Sequence, residues 1–534
     1  MLNFTLQKRQ REPENGRRMN KMKSKESIDQ IMTNFLDYYI KSGKINELDR
    51  IYLMNRLMDL LEKKEIKPLS PSKNVEEPLA LLDKLVDFAV KTGVIKDLPS
   101  SRDVLEAKIM NLTTPLPSQV NQLFWEEYSK RPEAATDYFF ELSKENNYIK
   151  TREIKKNIEY THPTEYGELE ITINLSKPEK DPKEIALAVN NQVDYPECKL
   201  CMENEGYEGH LTHPGRANHR IIRMKLNEEE WGFQYSPYAY YNEHCIFLSS
   251  IHRKMDVGIQ ALQNLLDILT TLPHYFVGSN AGLPIVGGSI LSHDHYQGGR
   301  HTFPLEKAEE EYSFKINGTS NVKTSVIKWP MSVIRLSGTD KEAMIETADF
   351  IMKHWENYSD ERVGILSETE GELHNAVTPI ARRKGEEYEL DLVLRNNRTS
   401  PDYPDGIFHP HPPVQHIKKE NIGLIEVMGL AILPPRLKNE LQTVRNYLVG
   451  KEDSTAAIHQ DWADNLKRNY NITEENVGDI VDGAVGDIFL QVLKDAGVFK
   501  RNKEGQAAFK RFIDDLSAAD NKESNDGNFK RYSK

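Results

Sequence analysis

Strand-like runs cluster in the middle of this chain, and helical periodicity brackets them on both sides. Gly167-Glu-Leu-Glu-Ile-Thr-Ile-Asn174, Cys245-Ile-Phe-Leu-Ser249, Tyr275-Phe-Val-Gly278, Tyr388-Glu-Leu-Asp-Leu-Val-Leu394 and Ile422-Gly-Leu-Ile-Glu-Val-Met428 are short and apolar. Runs of that length and content read as sheet strands. Helical patterns over 257–272 and 341–358 lie between them, and others fill the chain before about residue 150 and after residue 436. Together they predict a mixed α/β or α+β body.

The N-terminal helices announce themselves by their ends. Ser27 opens a capping-box pattern with Gln30, and Ile28, Ile31, Met32, Phe35, Leu36 and Tyr39 follow at helical spacing until Gly43. A second helix runs through Ile51, Leu53, Leu57 and Leu60. Leu82, Leu85, Val86 and Ala89 repeat the design and stop at Gly93. Phe35-Leu-Asp-Tyr-Tyr-Ile-Lys-Ser-Gly-Lys-Ile-Asn46 matches Leu85-Val-Asp-Phe-Ala-Val-Lys-Thr-Gly-Val-Ile-Lys96, which reads as a duplicated helical hairpin built for packing. Chance likeness of two amphipathic helices is the competing reading. Residues 1–25 are basic and polar without an apolar core, a disordered leader and not an export signal. The expected organisation is thus leader 1–25, helical region 26–150, a sheet body, helical region 436–517, and a disordered polar tail 518–534.

Charge and cysteine usage narrow the function classes. The 82 acidic and 70 basic residues leave a net charge of −12, which argues against a general nucleic-acid binder. A small phosphorylated substrate needs only a local pocket and stays allowed. No apolar run approaches the roughly 20 residues of a membrane span. Cys198, Cys201 and Cys245 make no disulfide framework, and a reducing cytoplasm is the expected location.

The segment that carries chemistry is Gly287-Gly-Ser-Ile-Leu-Ser-His-Asp-His-Tyr-Gln-Gly-Gly299. If Ser292 to Gln297 is extended, alternation places His293, His295 and Gln297 on one face, converging on one point. The flanking glycines let backbone N–H groups approach an anion. A neutral imidazole, with an ordinary pKa of about 6.5, is a competent nucleophile near pH 7. Attack by His295 on a phosphorus centre would give an N–P bond that stays activated for reversal. Gln297 can donate to a phosphoryl oxygen, and Gly288 and Ser289 can hold the same group. A surface loop rich in glycine and histidine is the bland alternative, which the paired glycines and the glutamine at +2 disfavour.

At these residues the chain resembles the transferase branch of the histidine-triad superfamily. More closely it resembles the Gram-positive, second type of galactose-1-phosphate uridylyltransferase, from about Ile28 to Leu516. The likeness includes Cys198-Lys-Leu-Cys-Met-Glu-Asn204, His213-Pro-Gly-Arg-Ala-Asn-His219, Asn242-Glu-His-Cys-Ile-Phe-Leu-Ser249 and Ile422-Gly-Leu-Ile-Glu-Val-Met-Gly429. The resemblance implies an α+β fold with a histidine-triad-like antiparallel sheet flanked by helices. That sheet would hold a catalytic half over 151–305 and a second, degenerate half over 306–435. It also implies a ping-pong exchange of UMP between UDP-glucose and galactose 1-phosphate, giving UDP-galactose and glucose 1-phosphate, in a homodimer. His295 falls at the family's nucleophile and Gln297 at its phosphoryl-binding glutamine. Asn280 falls at a ribose- or phosphate-contacting asparagine, and Gly288 and Ser289 at the phosphate loop. The spacing to His293 leaves Ser289 and Ser292 as alternatives.

Cys198-x-x-Cys201 is half of a zinc site by spacing. The resemblance completes it with His252 and His293 as a structural zinc beneath the loop that carries His295. His210 and His213 are the rival ligand pair, and an unmetallated thiol pair is the third reading. Asp391 and Val393 stand where the family's iron site has a His-x-His strand, so no iron is expected. His409-Pro-His411 lacks the glycines, since proline offers no N–H to phosphate, and reads as structural or as part of a substrate loop. Lys418 and Lys419 read as a solvated charge pair, and Cys245 as core. Two other functions stay open: a dinucleotide phosphorylase or hydrolase using the same His295 chemistry, and a non-enzymatic zinc-dependent binding protein.

Overall fold

The computed structural model describes residues 26–67, 69–72, 76–176, 195–210, 212–288, 290–317, 319 and 321–526. The leader 1–25 falls outside them. The chain divides into two compact units, one ending at Asp97 and the other starting at Leu98. The helical region expected over 26–150 is therefore shared between them. The reason lies in packing: Val120, Phe124, Ala135 and Phe139, from the helices Pro117–Tyr128 and Pro132–Glu145, belong to one buried cluster with the sheet residues Trp231, Phe233 and Phe247.

In the first unit the helices Ile28–Lys41 and Pro78–Thr92 bury Phe35, Leu36, Leu82, Leu85 and Val86 and pack together. Ser27 Oγ accepts from the Gln30 N–H at 3.2 Å. The Gln30 side chain instead donates to Asn34 Oδ1 and to the Ser70 carbonyl, so only half of the expected box forms. The matched glycines Gly43 and Gly93 sit at φ 74° and 78°, left-handed turns in which only glycine avoids a Cβ penalty.

Among the described residues the second unit carries fifteen strands, thirteen of them in two main sheets. Strands β1 (Ile158–Thr164) and β2 (Gly167–Ile173) form a hairpin. The large sheet is built from β3 (Ile222–Leu226), β4 (Glu229–Tyr235), β5 (Cys245–Ser249), β6 (Phe276–Gly278), β7 (His295–Gly299), β8 (Glu310–Phe314), β9 (Lys323–Ile327) and β10 (Val333–Gly338). After a two-stranded hairpin, β11 (Glu368–Thr369) and β12 (Glu372–Leu373), it gains β13 (Asn375–Lys384) and β14 (Glu387–Asn396). Strand β15 (Leu430–Leu433) returns to pair in parallel with β2.

The large sheet has the order β3-β4-β5-β7-β6-β13-β14-β10-β9-β8, and all its pairings are antiparallel. Its two ends are built alike. Strands β3 to β7 follow the order first, second, third, fifth, fourth, and β8, β9, β10, β13 and β14 follow the same order. In each set a helix links the third strand to the fourth: Ile259–Thr271 and Lys341–Glu356. The two fourth strands meet, Gly278 opposite Ile380 and Phe276 opposite Arg382, and close one continuous sheet.

Both sheet faces are covered, which accounts for the unbroken apolar run of β14. Leu390, Leu392 and Leu394 join the cluster under the two linking helices, and Val393 joins the opposite cluster with Val427, Leu437 and Phe489. Ile422–Met428 departs from its strand-like pattern. It forms the short helix Leu424–Val427, because Glu426 Oε2 accepts the Gly423 N–H at 3.1 Å and Asn280 Oδ1 accepts the Leu424 N–H at 2.9 Å. The last helix is Lys503–Asp526, so helix extends past residue 517. Among the described residues no helix is long and apolar enough to cross a membrane.

Candidate active site

Strand β7 begins at His295 and not at Ser292, so the two histidines of His293-Asp-His295 part company. His293 turns toward Cys198 and Cys201. His295 and Gln297, two residues apart within the strand, both line a cavity of about 920 Å³. The expected convergence of both imidazoles on one point is corrected accordingly: alternation starts at His295, and His293 lies outside its phase.

His295 is buried, and its Nδ1–H donates to the His293 carbonyl at 2.7 Å. That bond leaves the Nε2 lone pair free. Burial pushes the imidazole down to about 4, so the ring is neutral at pH 7. Across β5, Ile246 stands opposite Gln297 and Leu248 opposite His295. Gln297 Oε1 accepts from His244 Nε2 at 3.1 Å.

The loop between β6 and β7 supplies the cavity wall. Asn280 is buried beside Gly288, where a Cβ would fall 2.6 Å from Asn280 Nδ2; only glycine permits that approach. Asn280, Gly287, Gly288 and Ile290 all line the cavity. Ser292 is exposed and is not among the lining residues. Ser289 lies outside the described residues.

Cys198, Cys201, His252 and His293 bring four ligand atoms within 4.8 Å of one another. Cys198 Sγ lies 3.5 Å from Cys201 Sγ and 3.2 Å from His293 Nδ1, and Cys201 Sγ lies 3.2 Å from His252 Nδ1. A tetrahedral ion with bonds of about 2.0–2.3 Å places its ligand atoms roughly 3.3–3.8 Å apart. The far ring nitrogens are held from behind: His293 Nε2–H donates to the Ser249 carbonyl at 2.9 Å, and His252 Nε2 lies 3.4 Å from Glu197 Oε1. Such partners turn Nδ1 toward a metal. Burial raises the Cys201 thiol to about 12 and lowers His293. These residues fit a structural metal site. His210 and His213 instead bridge to each other through their backbones.

Two family models cover most of the chain: the galactose-1-phosphate uridyl transferase N-terminal domain over residues 43–254 and its C-terminal domain over 269–464. The chain belongs to the galactose-1-phosphate uridylyltransferase family. A galactose-1-phosphate uridylyltransferase of Ligilactobacillus salivarius is 55% identical over 493 residues, 92% of this chain and 99% of that one. One from Streptococcus pneumoniae is 53% identical over 489 residues, covering 91% and 99%. One from Pediococcus pentosaceus is 57% identical over 467 residues, covering 87% and 95%. Among solved structures, a yeast Ap4A phosphorylase aligns over 64% of this chain and 96% of its own, at 11% identity and a TM-score of 0.34. Family membership makes the chain a nucleotidyltransferase.

Several cavity residues carried no sequence signal of their own. Lys418, read as solvated, is only 4% exposed; its Nζ donates to Glu426 Oε1 at 2.9 Å and to the Ile432 carbonyl at 3.0 Å. Its partners stand eight and fourteen residues away, so local charge patterning misled. Lys419 is exposed. Leu200, Tyr240 and His244 also line the cavity. His244 stood within the quoted Asn242-Glu-His-Cys phrase, which was the one available hint.

The family's iron is not served by the strand β14. Asp391 is fully buried, with both carboxylate oxygens taken: Arg335 Nε lies 2.6 Å from Oδ1, and Arg335 Nη2 and Arg382 Nη1 each lie 2.9 Å from Oδ2. Arg382 also bonds Glu389. Burial alone would raise the Asp391 carboxyl, but the two guanidinium groups overcome it and hold it low. Val393 is apolar. Two fixed cations and an aliphatic side chain do not fit a metal ion. His409 contacts Asn421 at 3.3 Å, His411 donates to the Ile407 carbonyl at 3.0 Å, and neither lines the cavity.

Proposed function

We propose that this protein exchanges UMP between UDP-glucose and galactose 1-phosphate through a uridylyl group held on His295 Nε2. The observation that carries the reading is the His295 Nδ1–H bond to the His293 carbonyl, which points the free Nε2 lone pair at the cavity. In the first step Nε2 bonds to the α-phosphorus and the P–O bond to glucose 1-phosphate breaks. The leaving phosphate, with a second pKa of about 6, departs without an acid. The Nδ1 proton stays in place, so the uridylylated ring is cationic, and the carbonyl that accepts this proton stabilises that charge. A galactose 1-phosphate oxygen then attacks phosphorus, the N–P bond breaks, and the neutral ring returns.

Gln297 donates its amide to a phosphoryl oxygen, and the backbone at Gly288 takes the anion close. Asn280 spends its oxygen on Leu424 N–H, which leaves its amide nitrogen for substrate. Cys198, Cys201, His252 and His293 hold a zinc ion, which would cross-link the base of the His295 strand. Three free cysteines suit a reducing cytoplasm, and the proposal includes the homodimer that the resemblance implies.

The test is product analysis with UDP-glucose and galactose 1-phosphate. UDP-galactose and glucose 1-phosphate in equal amounts support the reading. UMP release, or a nucleoside diphosphate formed with inorganic phosphate, would favour the hydrolase or phosphorylase alternative.

A further inference from the structure

We infer that His244 is a positioning residue that fixes which end of the Gln297 amide faces the reacting phosphorus; the inference rests on the function just proposed. His244 immediately precedes β5 and is 4% exposed. Its ring stands 4.5 Å from that of Tyr241 and 5.4 Å from that of Tyr240. Burial keeps it neutral, with one ring N–H to give. Gln297 Oε1 can only accept, so the 3.1 Å contact places that proton on His244 Nε2.

Among the described residues, His244 Nδ1 makes no hydrogen bond. The contact with Gln297 is thus the ring's one hydrogen bond. The consequence is geometric. A glutamine amide has two faces related by a half-turn, one presenting N–H₂ and the other C=O. With the proton on Nε2, the half-turned amide would set N–H₂ against N–H; the other tautomer would accept from that N–H₂ but would leave a buried Nδ1–H with no acceptor. The N–H₂ is therefore held toward the cavity beside His295, ready to donate to a phosphoryl oxygen. Without His244 the amide samples both faces, and one of them presents a carbonyl oxygen to the phosphate.

The backbone is built to keep this contact. Glu243 adopts φ 55°, and a Cβ on Gly299 would fall 2.7 Å from the Glu243 carbonyl. The turn before His244 is thereby seated against the end of β7, two residues from Gln297.

The experiment is a double-mutant cycle on the full-length protein, reading single-turnover transfer from UDP-glucose and steady-state constants. His244→Phe should lower kcat by about tenfold or more with KM for UDP-glucose nearly unchanged, because the lost donor acts on the transferring group. His244→Gln, whose amide can reach Oε1 and donate, should recover most of the rate. On a Gln297→Ala background, His244→Phe should have almost no further effect. Should His244→Phe not fold, His244→Leu, which is also apolar and offers no donor, carries the same expectation. Independent, additive losses in the cycle, or wild-type kcat in the folded His244 variant, would overturn the inference. His295→Ala is run alongside: retained exchange there would sink the proposed function itself, while a dead His295→Ala with an additive cycle sinks only the role of His244.

Discussion

His295 is distinguished from the chain's other histidines by what its two nitrogens do. One is spent on a backbone carbonyl and the other is left free at a cavity. Replacing it should remove the reaction and little else. His295→Ala is expected to lower exchange by about 10⁴-fold or more, with an unchanged unfolding midpoint by circular dichroism. His295→Gly should regain transfer when given preformed uridylyl-imidazole, since only the imidazole is missing. The proposed nucleophile could be singled out in the sequence because glycine pairs punctuate both sides of it and a glutamine follows at +2. The separation of His293 from His295 could not, because nothing in the residues marks where the strand begins. Lys418 was misread for a related reason: its partners, Glu426 and the Ile432 carbonyl, belong to elements that only the fold brings back.

At the scale of elements, two polar clusters lie along the large sheet, the proposed zinc site and a buried ion-pair network. In the first half, Cys198, Cys201, His252 and His293 sit at the foot of β7. Cys201→Ser should lower the bound zinc, read by elemental analysis, from one equivalent to well below it, and lower the thermal midpoint. The same variant carrying a full equivalent would contradict the ligand set. In the second half, β14 occupies the place that β7 holds in the first, and Asp391 is clamped there by Arg335 and Arg382 in place of a metal. Asp391→Asn removes the carboxylate that binds both guanidinium groups and leaves Glu389 as their remaining close counter-charge, and should cost about 3 kcal/mol in urea unfolding. The strands β5, β6 and β14 were legible from their apolar runs. The repeated order of the two halves was not, since pairing partners such as Phe276 and Arg382 lie far apart in the chain. The helix Leu424–Val427 escaped because its caps come from Glu426 and from Asn280 on a distant loop.

For the whole molecule, acid should act through histidines buried in the neutral form. Burial holds His244 and His274 at about 4, against an ordinary value of about 6.5 in the unfolded chain. Between those values the unfolded chain binds more protons, so the stability from these groups is complete above about pH 6.5 and is lost as pH falls toward 4. Glu243 and Glu306, raised by burial, act in the opposite sense. The histidine share is isolated by comparing the parent with His244→Gln/His274→Gln: the urea midpoint of the parent should fall more steeply from pH 7 to pH 4.5. Parallel profiles would show that these rings do not carry the acid sensitivity.

All of this turns on one imidazole carrying the nucleotide between two sugar phosphates. Intact-mass analysis of the protein after incubation with UDP-glucose alone addresses it directly. The expected result is an acid-labile, UMP-sized addition that maps to the peptide containing His295 and disappears on adding galactose 1-phosphate. An active preparation that never gains that mass, or gains it elsewhere, would contradict the account.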